Sequence, residues 1–443
     1  MKRRMKRIAA AMLAATMAFS LAACGSGDKE AAKEESADGK TTIKITWWGG
    51  DGRHEYTQKL LDAYTESHPD VEFEALPSGW DGYFDKLSTQ AASGSMPDIV
   101  QMDYLYISTY AQNNSIADLT PYIEDGTIDT SNIDEKILNT GKIDDKMAGM
   151  VLSSSALTVG YNPDVLKAAG VENPADGWTW ADFMDASSKV TANTGKPSAM
   201  ASSGVASDTN IFNYWVRQNG GALFNEDGTG LGFEDDAITA EYFQMWKDMM
   251  DANTSPDPDE MAQISSLGKE GGPVVTGDAA YNIEWNNYAA QMTGINDNLK
   301  IALPPTTDDG ETGLWVKPGM FFSIAENSKV KDACAEFINW FVNSEEVNDI
   351  IMAERGTPVS SSIREYMINS GSLNAQQSEM FEYIDKVTEI AGETPAPDPT
   401  GISEVNEAFA NAGNSVFYGQ VSAEEAAKTF REQATEILER NNK

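Results

Sequence analysis

Ile43-Lys-Ile-Thr-Trp-Trp-Gly-Gly-Asp-Gly52 opens the stretch from which the fold can be read. An apolar run ends in two tryptophans and breaks at glycine. A helical pattern follows, with Tyr56, Leu60, Leu61 and Tyr64 on one face. His68-Pro69 closes that helix, and Val71-Glu-Phe-Glu-Ala75 reads as a second strand. Pro77-Ser-Gly-Trp-Asp-Gly82 is a loop. Trp80, Tyr83, Phe84, Leu87 and Ala91 then repeat the helical spacing until Gly94, and Pro97-Asp-Ile-Val-Gln-Met-Asp103 supplies a third strand. Strand, glycine-rich turn, helix, strand is the grammar of a parallel α/β sheet. Such sheets bind ligands at the carboxyl ends of their strands. Here those ends carry Trp47, Trp48, Asp51 and Asp103, with Trp80 and Tyr83 on the adjoining loop.

Downstream, Met147–Leu152 and Ala156–Tyr161 read as strands interrupted by Ser153-Ser-Ser155, a place where the chain could leave one lobe for another. Asn162-Pro163 opens a helix that stops at Gly170, and Thr179 caps the next. Helical patterns cover Ile211–Gln218 and Ala240–Met250. Leu223–Phe233 reads as a hairpin and Pro256–Glu260 as a solvated loop. Val274-Val275, Ala279–Ile283 and Leu299–Leu303 look like strand material, the last ended by Pro304-Pro305. Phe321–Ala325 precedes a helix over Lys329–Asn343, and Ser422–Asn441 forms a terminal amphipathic helix. Repeated βα units, serine and proline breaks and a late return to helices predict two α/β lobes assembled from discontinuous pieces.

With 443 residues the chain is long enough for two domains. Its formal charge is −37, and the first 23 residues hold five basic side chains and no acid, so the remainder carries about −42. That field repels nucleic acid and anionic lipid surfaces and favours a neutral or cationic ligand. It also keeps a secreted protein in solution. At the amino terminus a basic segment precedes sixteen uncharged residues, Ile8–Ala23, which rise only about 24 Å as a helix, short for a membrane span. The segment reads as a secretory signal over residues 1–23. Its end, Leu21-Ala-Ala-Cys24, resembles the lipobox of bacterial lipoproteins, which implies cleavage before Cys24 and a diacylglycerol thioether on its sulfur. Residues 24–40 are polar and without aromatics, the composition of a flexible tether. Cys334 then has no disulfide partner and, within a helical pattern, should be a buried small apolar residue.

Catalytic constellations are missing. His54 and His68 are the two histidines, and no His/Cys set has zinc spacing. Neither a phosphate-cradling Gly-x-x-x-x-Gly-Lys-Ser/Thr loop nor a Gly-x-Ser-x-Gly elbow occurs. The 69 acids guarantee coincidental carboxylate pairs, and sequence does not measure the 5 to 9 Å or so that a glycosidase requires between them. No metal, cofactor or catalytic residue is expected.

Trp47-Trp48-Gly-Gly-Asp51, Ser95-Met-Pro-Asp-Ile-Val100, Leu119-Thr-Pro121, Tyr161-Asn-Pro-Asp164, Thr179-Trp180, Gly277-Asp-Ala-Ala280 with Trp285, and Ser328-Lys-Val-Lys-Asp-Ala333 occur in an order and spacing that resembles the extracellular solute-binding proteins, family 1, of ABC sugar importers. The likeness runs from about Thr42 to the carboxyl end. It implies a periplasmic-binding-protein-like type II fold, two α/β lobes with hinge crossovers and a ligand cleft between them. Crossings would fall near Ser153–Ser155, Pro304-Pro305 and Ser344-Glu345, giving one lobe of 41–153 plus 306–344 and another of 154–305 plus 345–443. It also implies a monomer, lipid-anchored on the outer face of the cytoplasmic membrane as in Gram-positive bacteria. That monomer would deliver an oligosaccharide to permease subunits driven by an ATPase.

A pyranose offers an apolar C–H face to an indole and a rim of hydroxyls to ionised groups. On that chemistry Asp51 and Asp103 are candidate hydroxyl acceptors and Arg53 a donor. Trp80 and Trp285 are candidate stacking platforms, with Trp48 and Trp315 behind them. The family often follows Gly-Asp-Ala-Ala with Gly-Pro-Trp. Ile283-Glu-Trp285 stands here instead, so Glu284 shares the candidacy of Trp285. Trp180, Trp246 and Trp340 lie on amphipathic faces and belong to the core. Asp103 equally suits a helix cap, and Arg53 the surface of the first helix. A polyamine receptor, which the acidity would suit, and a surface glycosidase are the competing readings.

Overall fold

The computed structural model describes residues 39–442 apart from 81, 202, 203, 207, 208 and 269. The signal segment, Cys24 and nearly all of the tether lie outside the described residues.

The opening stretch folds as its pattern dictates. β1 (Thr41–Trp48), α1 (Asp51–Ser67), β2 (Val71–Ser78), α2 (Tyr83–Ser93), β3 (Ile99–Met102) and α3 (Tyr104–Gln112) follow one another, and β1 pairs in parallel with both β2 and β3. Gly49 permits the β1–α1 turn, because a Cβ there would lie 2.5 Å from the Arg53 side chain folded across it. A short hairpin, β4 (Lys142–Ile143) with β5 (Lys146–Met147), precedes β6 (Met150–Ser155). One residue later the chain is in a second sheet, in β7 (Leu157–Tyr161). That sheet is completed by β8 (Ala199–Ala201), β9 (Tyr281–Trp285) and β10 (Lys300–Ala302), in the order β10-β7-β9-β8. The chain then returns to the first sheet as β11 (Lys317–Ile324) and β12 (Thr357–Pro358), giving the order β12-β6-β11-β3-β1-β2. Helices cover both sheets. This is the mixed α/β, two-lobe architecture that the resemblance implies.

Several local expectations need correction. The serines do not interrupt a strand: Ser153–Ser155 end β6, and the lobe change falls at buried Ala156. Residues from 345 onward do not all join the second lobe. The helix Glu345–Ile351 packs on α1, and Thr357-Pro358 pairs with Ser154 and Ser153 of the first sheet. Pro358 fits there because an edge strand can spare an N–H. Pro258–Ser265 is a helix rather than a loop, with proline in its first turn and a reciprocal Asp257–Glu260 capping box. Val274-Val275 lie in the helical turn Pro273–Thr276, ended by Gly277 at φ 84°.

The return from β10 to β11 is clamped. Arg217 donates through Nε to the Gly313 carbonyl (2.9 Å) and through Nη2 to that of Glu393 (2.8 Å), while Thr394 donates to the Val316 carbonyl (2.7 Å). A Cβ on Gly313 would stand 2.2 Å from the backbone oxygen of Tyr214, which cannot swing aside as a side chain could. Gly313→Ala is therefore expected to lower unfolding stability by about 1–3 kcal/mol, read from denaturant midpoints. An unchanged midpoint would show that the crossover tolerates displacement.

Candidate ligand-binding site

Period-two alternation sends the two tryptophans of β1 to opposite faces. Trp47 is core: it is 1% exposed, and its indole N–H donates to His54 Nδ1 at 3.1 Å. Trp48 points to the other side, 8% exposed, with Trp80 (ring centroids 5.1 Å apart), Tyr83 (5.2 Å) and Phe84 (5.7 Å) around it. Trp80 is 45% exposed, so it is the outer ring of an aromatic stack whose inner ring is Trp48. The Trp48 carbonyl accepts from Arg53 Nη1 (3.4 Å) and Gln101 Nε2 (3.5 Å). Gln101 is itself held by buried Arg355, whose guanidinium also donates to Thr57 and lies over the rings of Tyr56, Phe322 and Phe341. Burial brings the Arg355 pKa down to about 10, still well above neutrality.

The charged candidates of this lobe are more committed than their sequence suggests. Arg53 donates from Nε and Nη2 to both oxygens of Glu354 (3.2 and 3.1 Å), and Tyr56 donates to the same carboxylate. That pairing holds the Glu354 carboxyl below its usual range against the opposing effect of burial. Asp51 stands exposed in the first turn of α1, where the helix dipole favours a carboxylate. Asp103 is the N-cap of α3, its Oδ1 accepting from the Leu105 N–H at 2.9 Å. Burial raises its pKa, while that hydrogen bond and the charge of Lys317 pull the other way.

In the second lobe, Glu284 and Trp285 end β9. Glu284 is buried and its Oε1 accepts from the Trp285 N–H at 3.0 Å. Trp285 is half-buried; its ring meets that of Trp315 edge-on at 6.4 Å, and the Lys317 ammonium lies 4.8 Å above its centroid. Trp315 is only 4% exposed and carries the Arg217 guanidinium at 5.5 Å, so it backs Trp285 rather than lining open space. Beside them is a cavity of about 410 Å³, with Asn282, Glu284, Trp285 and Tyr288 on one wall and Met261 and Ile264 of the helix Pro258–Ser265 on the other. That size is in the range of small-ligand sites.

Two of the contacts that join the halves lie beside these candidates. Lys317 lies on Trp285 while its charge bears on Asp103. Tyr104, next to Asp103, donates to the Pro395 carbonyl at 2.7 Å, beside the segment whose Gly392 bridges Trp315. Sequence reasoning missed Lys317, Tyr104, Tyr288 and Arg355. Each is a lone side chain in an ordinary pattern, and its partners lie far away in the chain. Among the described residues no group of three or more His, Cys, Asp or Glu is arranged to hold a metal ion, and no helix is long and apolar enough to cross a membrane. Cys334 is free and buried, and burial pushes its thiol pKa well up.

The bacterial extracellular solute-binding protein family model matches residues 50–348. The arabinooligosaccharide-binding protein of Bacillus subtilis is 26% identical over 360 residues, covering 78% of each chain. A maltooligosaccharide ABC transporter solute-binding lipoprotein of Streptococcus pneumoniae is 22% identical over 452 residues, 99% of this chain and 98% of that one. A solved extracellular solute-binding protein family 1 from Alicyclobacillus acidocaldarius superposes with a TM-score of 0.77 at 28% identity, covering 90% of this chain and 99% of the other.

Proposed function

The chain belongs to the family of bacterial extracellular solute-binding proteins, and on that footing we propose that it is the carbohydrate-binding component of an ABC importer. It holds an oligosaccharide between its two lobes and presents it to permease subunits driven by an ATPase. The observation that carries this reading is the half-buried Trp285 indole with Glu284 beside it, bordering a cavity of about 410 Å³. An indole face stacks against pyranose C–H groups, and carboxylates accept from the hydroxyl rim. The two oligosaccharide-binding relatives support the substrate class. Trp80 is the stacking surface of the first lobe, Trp48 and Trp315 support the two platforms from behind, and Asp51 and Asp103 are the acceptors. Arg53 acts by orienting Trp48 while it remains paired to Glu354. Ligand drawn to both lobes shifts an open–closed equilibrium towards closure. The protein works as a monomer, tethered through a lipidated Cys24 to the outer face of the membrane, and leaves the glycan chemically unchanged.

A thermal-shift panel of glycans, with spermidine as the cationic comparison, tests the assignment. A cognate glycan at 100 times its Kd should add about 2.7 kcal/mol and raise the melting temperature. Stabilisation by spermidine alone would make the protein a polyamine receptor, and release of shorter sugars during incubation would make it a glycosidase.

A further inference from the structure

Several lysines of this acidic chain hold a carboxylate, among them Lys59 with Glu55, Lys189 with Asp185, Lys247 with Asp251 and Lys300 with Glu379. Lys317 does not. Among the described residues no carboxylate stands within ion-pair range of its ammonium, which instead lies 4.8 Å over the ring of Trp285. Its backbone is fixed by the crossover itself, since Lys317 opens β11 opposite Ser155, the last residue of β6 before the chain changes sheets. A half-buried ammonium at the junction of the lobes thus meets the proposed stacking platform of one lobe and acts on Asp103 of the other. The cation next along this aromatic pair, Arg217 over Trp315, is occupied by two backbone carbonyls.

We propose that Lys317 is a specificity-determining residue that makes the cleft select uncharged glycans over cationic ones. The physical reason is geometric. The face of an indole flanked by acids is an attractive seat for a cation. The protein has filled that seat with its own ammonium, so an incoming amine meets like charge while a neutral hydroxyl or ring oxygen meets a donor.

The inference rests on the glycan reading, and one competition experiment separates the two. The wild-type protein, Lys317→Met and Lys317→Arg are titrated with a malto- or arabino-trisaccharide, whichever stabilises the wild type more. Each is also titrated with the same trisaccharide carrying an amino group in place of one hydroxyl. Methionine keeps the apolar stem over Trp285 and removes the charge; arginine keeps the charge and serves as the folding control. The ratio of neutral to amino-sugar affinity should fall at least tenfold in Lys317→Met, with near-wild-type discrimination in Lys317→Arg. A change of less than threefold in Lys317→Met overturns the assignment while the glycan reading stands. Wild-type protein that binds neither sugar defeats the glycan reading and this assignment with it.

Discussion

Replacing Trp285 with alanine should weaken glycan binding roughly 100-fold and leave the fold in place. The indole is half-buried at the end of β9 and borders the cavity that Glu284 and Tyr288 line. Its loss removes an aromatic wall of that cavity, and it also frees the Lys317 ammonium that lies over the ring. Trp315, edge-on behind it at 6.4 Å and almost wholly buried, cannot take its place without abandoning Arg217. The stability cost is about 1–3 kcal/mol, below that of a fully buried ring, because Trp285 is only half-buried at the end of its strand. Calorimetric titration alongside a denaturation curve reads both quantities. A Trp285→Ala protein that folds and binds as tightly as wild type would remove this ring from the site.

Trp47→Ala should do the reverse, costing about 3–5 kcal/mol of folding stability. Trp47 and Trp48 are neighbours, yet the pleat sends them to different fates. Trp47 is 1% exposed and hydrogen-bonded to His54, so its deletion opens a cavity between β1 and α1 and strands a ring nitrogen. Chemical denaturation should show a lowered midpoint with an unchanged slope. A loss below about 1 kcal/mol would mean that the β1–α1 interface repacks far more readily than its burial suggests.

The contrast between these residues shows what was legible in the sequence. The β1–α1–β2–α2–β3 unit was read within a few residues of its observed bounds, because period-two and period-3.6 patterns are local and His68-Pro69 and Gly94 punctuate them. β8 and β12 were not read, since three and two residues carry no periodicity and depend on partners far along the chain. The helix Pro258–Ser265 was hidden by its Pro/Asp composition, although the Asp257–Glu260 capping box was a usable signal. The charged candidates suffered for the same reason. Nothing near Arg53 announces Glu354, 301 positions away, and nothing near Lys317 announces that it will lie over Trp285. Aromatic residues at strand ends were visible as candidates because topology alone puts them at the mouth of the sheet. How each charge is spent was settled by long-range folding.

Isothermal titration of the purified protein with the most stabilising oligosaccharide, followed by analysis of the recovered sugar, tests the central claim most directly. The account predicts one ligand per chain, a micromolar or tighter Kd, and a glycan recovered intact. No heat of binding across malto- and arabino-oligosaccharides, or a sugar recovered cleaved, would contradict it.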